Sequence, residues 1–156
     1  AAVTIMARTC CEAERAINHN GLYQAVRNSV LRKFGVLSTS ESIASSAVKT
    51  AIDVKAKGII VISESGKTAG EISKFRAGKP IVVLTTRLPT ARQSFGWLRG
   101  VHTKLLPSID QVETIVRETI DEFKAAGSVS AGEPIVIVHG TTEHVGSTNT
   151  MKIVYA

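Results

Sequence analysis

The sequence predicts an α/β domain: a three-layer, open, mostly parallel five-stranded sheet with helices on both faces and the last strand antiparallel. Two observations carry this. The runs Ile59 to Ile62 and Ile81 to Thr85 are short, continuous and apolar, the pattern of strands covered on both faces, and helical patterns alternate with such runs. The last two β-rich runs, Ile135 to His139 and Thr150 to Tyr155, are only about ten residues apart. That is too short for a helical crossover, so these two pair antiparallel.

Along the chain, Thr4 to Asn18 reads as an amphipathic helix, with Ile5, Ala13, Ala16 and Ile17 near one face and Gly21 as its punctuation. Leu22 to Phe34 continues in helical style. Ser38-Thr39-Ser40-Glu41 then has the spacing of a capping box and opens a third helix running to about Lys55. The strand Ile59 to Ile62 is followed by a helix around Thr68 to Phe75, the strand Ile81 to Thr85 by a helix over Thr90 to Trp97, and the strand Gly100 to Leu105 by a longer helix over Ile109 to Ala125. Pro134 opens the final pair of strands. In open sheets of this class ligands gather beyond the carboxyl ends of the parallel strands. Three loops belong there: Ser63 to Thr68, Thr85-Thr86-Arg87, and His139 to Asn149.

With 156 residues, 44% of them hydrophobic and 21% charged, the chain suits one compact core. Cys10 and Cys11 are adjacent in a helical pattern, point away from each other and read as small packing residues rather than a disulfide, which fits a reducing interior and a cytoplasmic setting. No apolar run is long enough to cross a bilayer, so no membrane partner is expected. A net charge of +6 invites a nucleic-acid reading, but the basic residues are scattered and only 4% of the chain is aromatic. Stacking platforms and a basic stripe are both missing, and basic spots for phosphorylated metabolites fit better. His139 and His144 have only Glu143 beside them, too few ligands for a metal site. Phe95 and Trp97 read as core or interface residues.

The run Gly58 to Gly70, GIIVISESGKTAG, stands apart. A strand feeds a turn rich in glycine and hydroxyls, and a helix begins. Unpaired N–H groups and the positive end of the helix dipole favour an anion there, and Ser63, Ser65 and Thr68 can add hydroxyl donors. The turn is neither the GxxxxGK[ST] nor the GxGxxG type, so nucleotide hydrolysis and dinucleotide binding lose support. The alternative is an ordinary turn whose Ser and Thr side chains only cap the helix.

SIASSAVKTAIDVKAKGIIVISESGKTAGEISKFRAGKPIVVLTT, followed in order by TARQ, RGV, GEPIVIVHG and GSTNTMKIVYA, resembles the C-terminal domain of pyruvate kinase over nearly the whole chain. VTIMARTCCEAERAIN resembles the last helix of that family's catalytic barrel. The resemblance therefore implies two parts: residues 1–20 as the terminal barrel helix and 21–156 as the C-terminal regulatory domain. It implies a larger parent that transfers phosphate from phosphoenolpyruvate to ADP, with Mg²⁺ and K⁺ in the absent catalytic part, no cofactor in this chain, no catalytic residue and no kinase activity of its own. It also implies a homotetramer, whose subunits pair through the final strand, and a phosphorylated effector.

Carried over by position, Ser63, Ser65, Gly66, Lys67 and Thr68 would grip the effector phosphate. Arg87, Gly140, Thr141, Gly146 and Ser147 would form the loop and pocket rim, with Gly140 to Ser147 folding over the sugar. Two departures bear on the ligand. Members activated by fructose 1,6-bisphosphate clamp the second phosphate with a Trp and an Arg, where Ser108 and Ile115 stand here, while Arg117 points to another side of the helix. Glu64 puts an acid inside the phosphate turn, pointing to solvent, paired with Lys67, or repelling the ligand. Both departures favour a monophosphate effector or none. The competing reading is a stand-alone sugar-phosphate-binding or assembly module; the apolar stripe of the opening helix, unpartnered in that case, favours the fragment.

Overall fold

The computed structural model describes residues 2–140 and 148–156. Three helices open the chain: α1 (Ala2–Arg15), α2 (His19–Phe34) and α3 (Thr39–Asp53). The alternating part follows as β1 (Ile59–Ile62), α4 (Lys67–Lys74), β2 (Ile81–Thr85), α5 (Leu88–Trp97), β3 (Val101–Leu105) and α6 (Val112–Ala125), and β4 (Pro134–Gly140) and β5 (Thr148–Tyr155) close it. The sheet has five strands in the order β3-β2-β1-β4-β5. Strands β1 to β4 are parallel, and β5 lies antiparallel to β4 at the edge, as the short final connection requires.

Each face of the sheet has its own core. On β1, Ile59 and Val61 face α2, α3 and α4 with Ala44, Val48, Ile72 and Phe75, whereas Ile60 and Ile62 face α6 with Val116 and Ile120. A strand buried on both sides has no polar face to alternate with, which is why β1 and β2 read as unbroken apolar runs. Tyr23 brings α2 into the first core and spends its hydroxyl on Ser45 Oγ, 2.9 Å away.

The helix boundary near Gly21 differs from expectation. Gly21 does not end the first helix. Asn18 caps α2, its side chain accepting the Gly21 N–H at 3.0 Å, so Gly21 sits in the first turn of α2 and α1 stops at Arg15. No described residue of α1 is buried, so Cys10 and Cys11 are exposed and free instead of packed. Of the two places expected for Phe95 and Trp97, the core is excluded: they are 65% and 90% exposed.

The capping box of α3 forms as expected. Ser38 Oγ accepts the Glu41 N–H at 3.3 Å, and the Ser38 N–H donates to Glu41 Oε2 at 3.4 Å. The Glu41 carboxylate also meets Lys74 of α4. It is held below the ordinary glutamate range, chiefly by the hydrogen bond from Lys74 and, against a smaller opposing effect of burial, by the Ser38 N–H. A carboxylate depressed in the folded state contributes stability above its unfolded pKa and loses it as pH falls through the folded value. The Tm difference between the wild type and Glu41→Gln should therefore be largest near neutral pH and shrink through the acid range. A difference independent of pH in thermal scans would refute the coupling.

Candidate functional site

The carboxyl ends of β1, β2 and β4 bring three segments together. From Ile62 the chain enters the turn Ser63 to Gly66, which Gly66 completes in the left-handed region at φ 74° as the N-cap of α4. Thr90 and Ser94 of α5 close in on this glycine: a Cβ built there would lie 3.2 Å from Ser94 Oγ and 3.3 Å from Thr90 Cγ2. Both the dihedral and the crowding call for glycine.

The hydroxyls of the turn are used locally. Ser63 Oγ accepts the Gly66 N–H at 3.1 Å and Ser65 Oγ accepts the Lys67 N–H at 3.3 Å. Each of these hydroxyls keeps its own hydrogen to donate. Ser63 is buried, while Ser65 and Lys67 are exposed at the mouth of the turn. Lys67 Nζ lies 3.8 Å from Glu71 Oε1, one helical turn on. Thr68 is buried, with its Oγ1 2.6 Å from Thr148 Oγ1 at the start of β5.

Glu64 neither points to solvent nor pairs with Lys67, whose Nζ faces Glu71 instead. Its carboxylate folds back onto the end of β2, accepting from the Thr86 N–H at 2.8 Å, Thr86 Oγ1 at 2.7 Å and Thr85 Oγ1 at 3.4 Å. Thr90 Oγ1 donates to the Glu64 carbonyl at 2.7 Å. The turn after β1 is thereby strapped to the turn after β2 through side chain and main chain together.

Of the other residues singled out, Arg87 is exposed at the N-cap of α5, its N–H donating to Thr85 Oγ1 at 3.2 Å. Gly140 ends β4 opposite Thr148, across a bulge between His139 and Gly140. Thr141, Gly146 and Ser147, with Glu143 and His144, lie outside the described residues. Ile115 packs against the α6-side core, Ser108 is exposed beside Asp110, and Arg117 lines a groove between α6 and β5. Sequence reasoning passed over Thr90 and Thr148, the two threonines that tie α5 and β5 to the turn. An isolated threonine in a helix or at a strand start carries no local mark of such a role. Among the described residues no group of three or more His, Cys, Asp or Glu side chains could hold a metal, and no helix is long and apolar enough to cross a membrane.

The buried hydroxyl pair has a measurable consequence. Thr68→Val leaves Thr148 Oγ1 without its partner and should cost about 1–3 kcal/mol, whereas Thr68→Val with Thr148→Val removes both polar atoms and should recover much of that loss. Additive losses in urea unfolding would show that the pair is not coupled.

The family model described as "Pyruvate kinase, alpha/beta domain" matches residues 41–154. The chain belongs to the pyruvate kinase family. The pyruvate kinase of Eimeria tenella is 35% identical over 153 residues, which cover 97% of this chain and 28% of the relative. Pyruvate kinase 1 of Saccharomyces cerevisiae is 35% identical over 158 residues, covering 97% of this chain and 31% of its own length. A crystal structure of a pyruvate kinase from Cryptosporidium parvum matches with a TM-score of 0.87 at 37% identity, covering 99% of this chain and 29% of that one. The structure of Cryptosporidium parvum pyruvate kinase in complex with ADP gives 0.85 at 37% identity over 99% of this chain and 30% of that one. The chain thus spans under a third of the length of these pyruvate kinases. Its five-stranded sheet, with one antiparallel edge, is the fold of the pyruvate kinase C-terminal domain.

Proposed function

We propose that this chain is the regulatory and assembly domain of a pyruvate kinase, and that a phosphorylated metabolite binds at Ser63, Ser65, Gly66, Lys67 and Thr68. The observation that carries the reading is the turn itself. An exposed lysine and two serine hydroxyls stand together at the start of α4, beyond the carboxyl ends of parallel strands. Arg87 and Gly140 supply part of the rim. The ligand carries one phosphate, because Ser108 and Ile115 offer no cationic clamp for a second.

The parent transfers phosphate from phosphoenolpyruvate to ADP in the cytoplasm, with Mg²⁺ and K⁺ held by segments that this chain lacks. Residues 1–20 belong to its barrel, and Val3, Ile5 and Met6 of α1, all exposed here, are covered there. Subunits of a homotetramer pair through β5, an edge strand that leaves Ile153 and Tyr155 exposed. Effector binding would then act by shifting the parent between states of different substrate affinity.

Thermal unfolding against glucose 6-phosphate, ribose 5-phosphate, AMP, fructose 1,6-bisphosphate and inorganic phosphate tests the site. A ligand at about 100 times its Kd stabilises by about 2.7 kcal/mol, and Ser65→Asp should abolish that gain by placing a carboxylate where the phosphate sits. Stabilisation that survives in Ser65→Asp, or no stabilisation by any of these ligands, would reject the site.

A further inference from the structure

A second cleft, of about 570 Å³, lies at the opposite end of the sheet, where the chain enters β2 and β3 at Pro80, Ile81 and Gly100. One wall is the end of α1 and the start of α2; the other is the turns leading into those strands. Its polar lining is strongly one-sided. Arg15, Arg76, Lys79 and Arg99 line it with His19 and His102, against the single carboxylate of Glu14. These cations come from three separate stretches, residues 15–19, 76–79 and 99–102, which are gathered only by the fold.

Glu14 is committed to Arg99 at 2.6 Å, and Arg15 meets the exposed Glu12 at 2.6 Å. Arg76 and Lys79 have no carboxylate partner among the described residues. The turn that presents them is unusual, with Arg76 at φ 56° and Gly78 at φ 65°. His19 rests against that glycine. A Cβ at position 78 would come within 2.4 Å of the His19 ring, whose Nδ1 lies 3.2 Å from the Arg76 carbonyl oxygen. With the Nδ1–H donating to that carbonyl, the ring is fixed at the edge of the cationic wall. Like charges gathered in a concave site repel one another and focus their field on its opening, and a guanidinium beside an ammonium matches a multiply charged anion in geometry as well as sign.

We propose that this cleft is a second anion site, separate from the Ser63 to Thr68 turn, for a compact anion carrying at least two negative charges as phosphates or carboxylates. Such a ligand would bridge α1, through Arg15, to the sheet domain, through Arg76 and Lys79. The proposal stands independently of the effector reading.

Titration with pyrophosphate and, separately, citrate, followed by amide chemical shifts, tests it. Saturable shifts are expected at His19, at Arg76 to Lys79 and at Arg99 to His102. The Arg76→Gly/Lys79→Ser double variant should weaken them at least tenfold, and Ser65→Asp should leave them unchanged. Glycine tolerates the positive φ of position 76, so the double variant keeps the fold. Saturation by pyrophosphate alone identifies a phosphate site, and saturation by citrate as well identifies a site for charge regardless of phosphate. Shifts confined to residues 63–68, shifts that never saturate, or equal affinity in the double variant would overturn the proposal.

Discussion

Phe75→Ala should lower the unfolding free energy by about 3–5 kcal/mol, the largest loss expected from a single truncation in this chain. Phe75 is completely buried where α4 ends, with its ring centroid 6.0 Å from that of Tyr23 at a tilt of 54°. It joins helices from two separate parts of the chain, α2 and α4, in one core. The change removes apolar surface, an aromatic contact and a platform over which Lys74 Nζ sits at 5.0 Å. A domain of this size commonly has about 5–15 kcal/mol to lose, so the variant should melt far below the wild type. Urea unfolding followed by circular dichroism measures the effect; a loss under about 1 kcal/mol would mean that α2 is not held through Tyr23 and Phe75.

Gly66→Val should cost about 2–4 kcal/mol, from a β-branched residue in the left-handed region together with overpacking against Ser94 and Thr90. Its effect on the site should be larger than its effect on the fold. The turn cannot keep φ 74° with a β-branched side chain, so the Gly66 and Lys67 N–H groups would leave Ser63 Oγ and Ser65 Oγ. Gly66→Ala separates the two contributions, since it keeps the dihedral cost with a smaller clash. The expected order of stability is wild type, then alanine, then valine. Equal Tm values for all three would contradict the geometry of this turn.

The architecture was legible because its signals are local and repeated. The unbroken apolar runs of β1 and β2 are too short for buried helices and are bounded by turns, which marks them as strands with two covered faces, and Ser38 and Glu41 form the box that their spacing announces. The break after α1 was misplaced because two signals compete there. A glycine at 21 marks a stop by propensity, but an asparagine three residues earlier can satisfy its N–H, and the side-chain hydrogen bond wins. The core alternative for Phe95 and Trp97 came from residue type, which sets a preference for burial but not what lies opposite.

The site was half legible. Glycine, serines and lysine at the start of α4 were visible as a group, whereas the hold of Glu64 on Thr86 joins residues 22 positions apart across two strands. No spacing rule reports such a bond. The cationic cleft was less legible still, since Arg15, Arg76 and Arg99 come to line one cleft only where the end of α1 and the start of α2 meet the turns leading into β2 and β3.

The strand order also sets a schedule for folding. At the centre of the sheet Ile59 pairs with Ile81, 22 positions on, and with Val136, 77 positions on. The nearer pairing closes a short loop and the farther one a long loop, and loops that close over greater separations form more slowly. The α3 to β2 segment should therefore be native-like while β4 and β5 are still undocked. At that stage the turn after β1 already has its Glu64 strap, but Thr68 has no Thr148 to meet. Competence to hold an anion should thus trail the recovery of helix signal in a refolding experiment, arriving with the last strand pair.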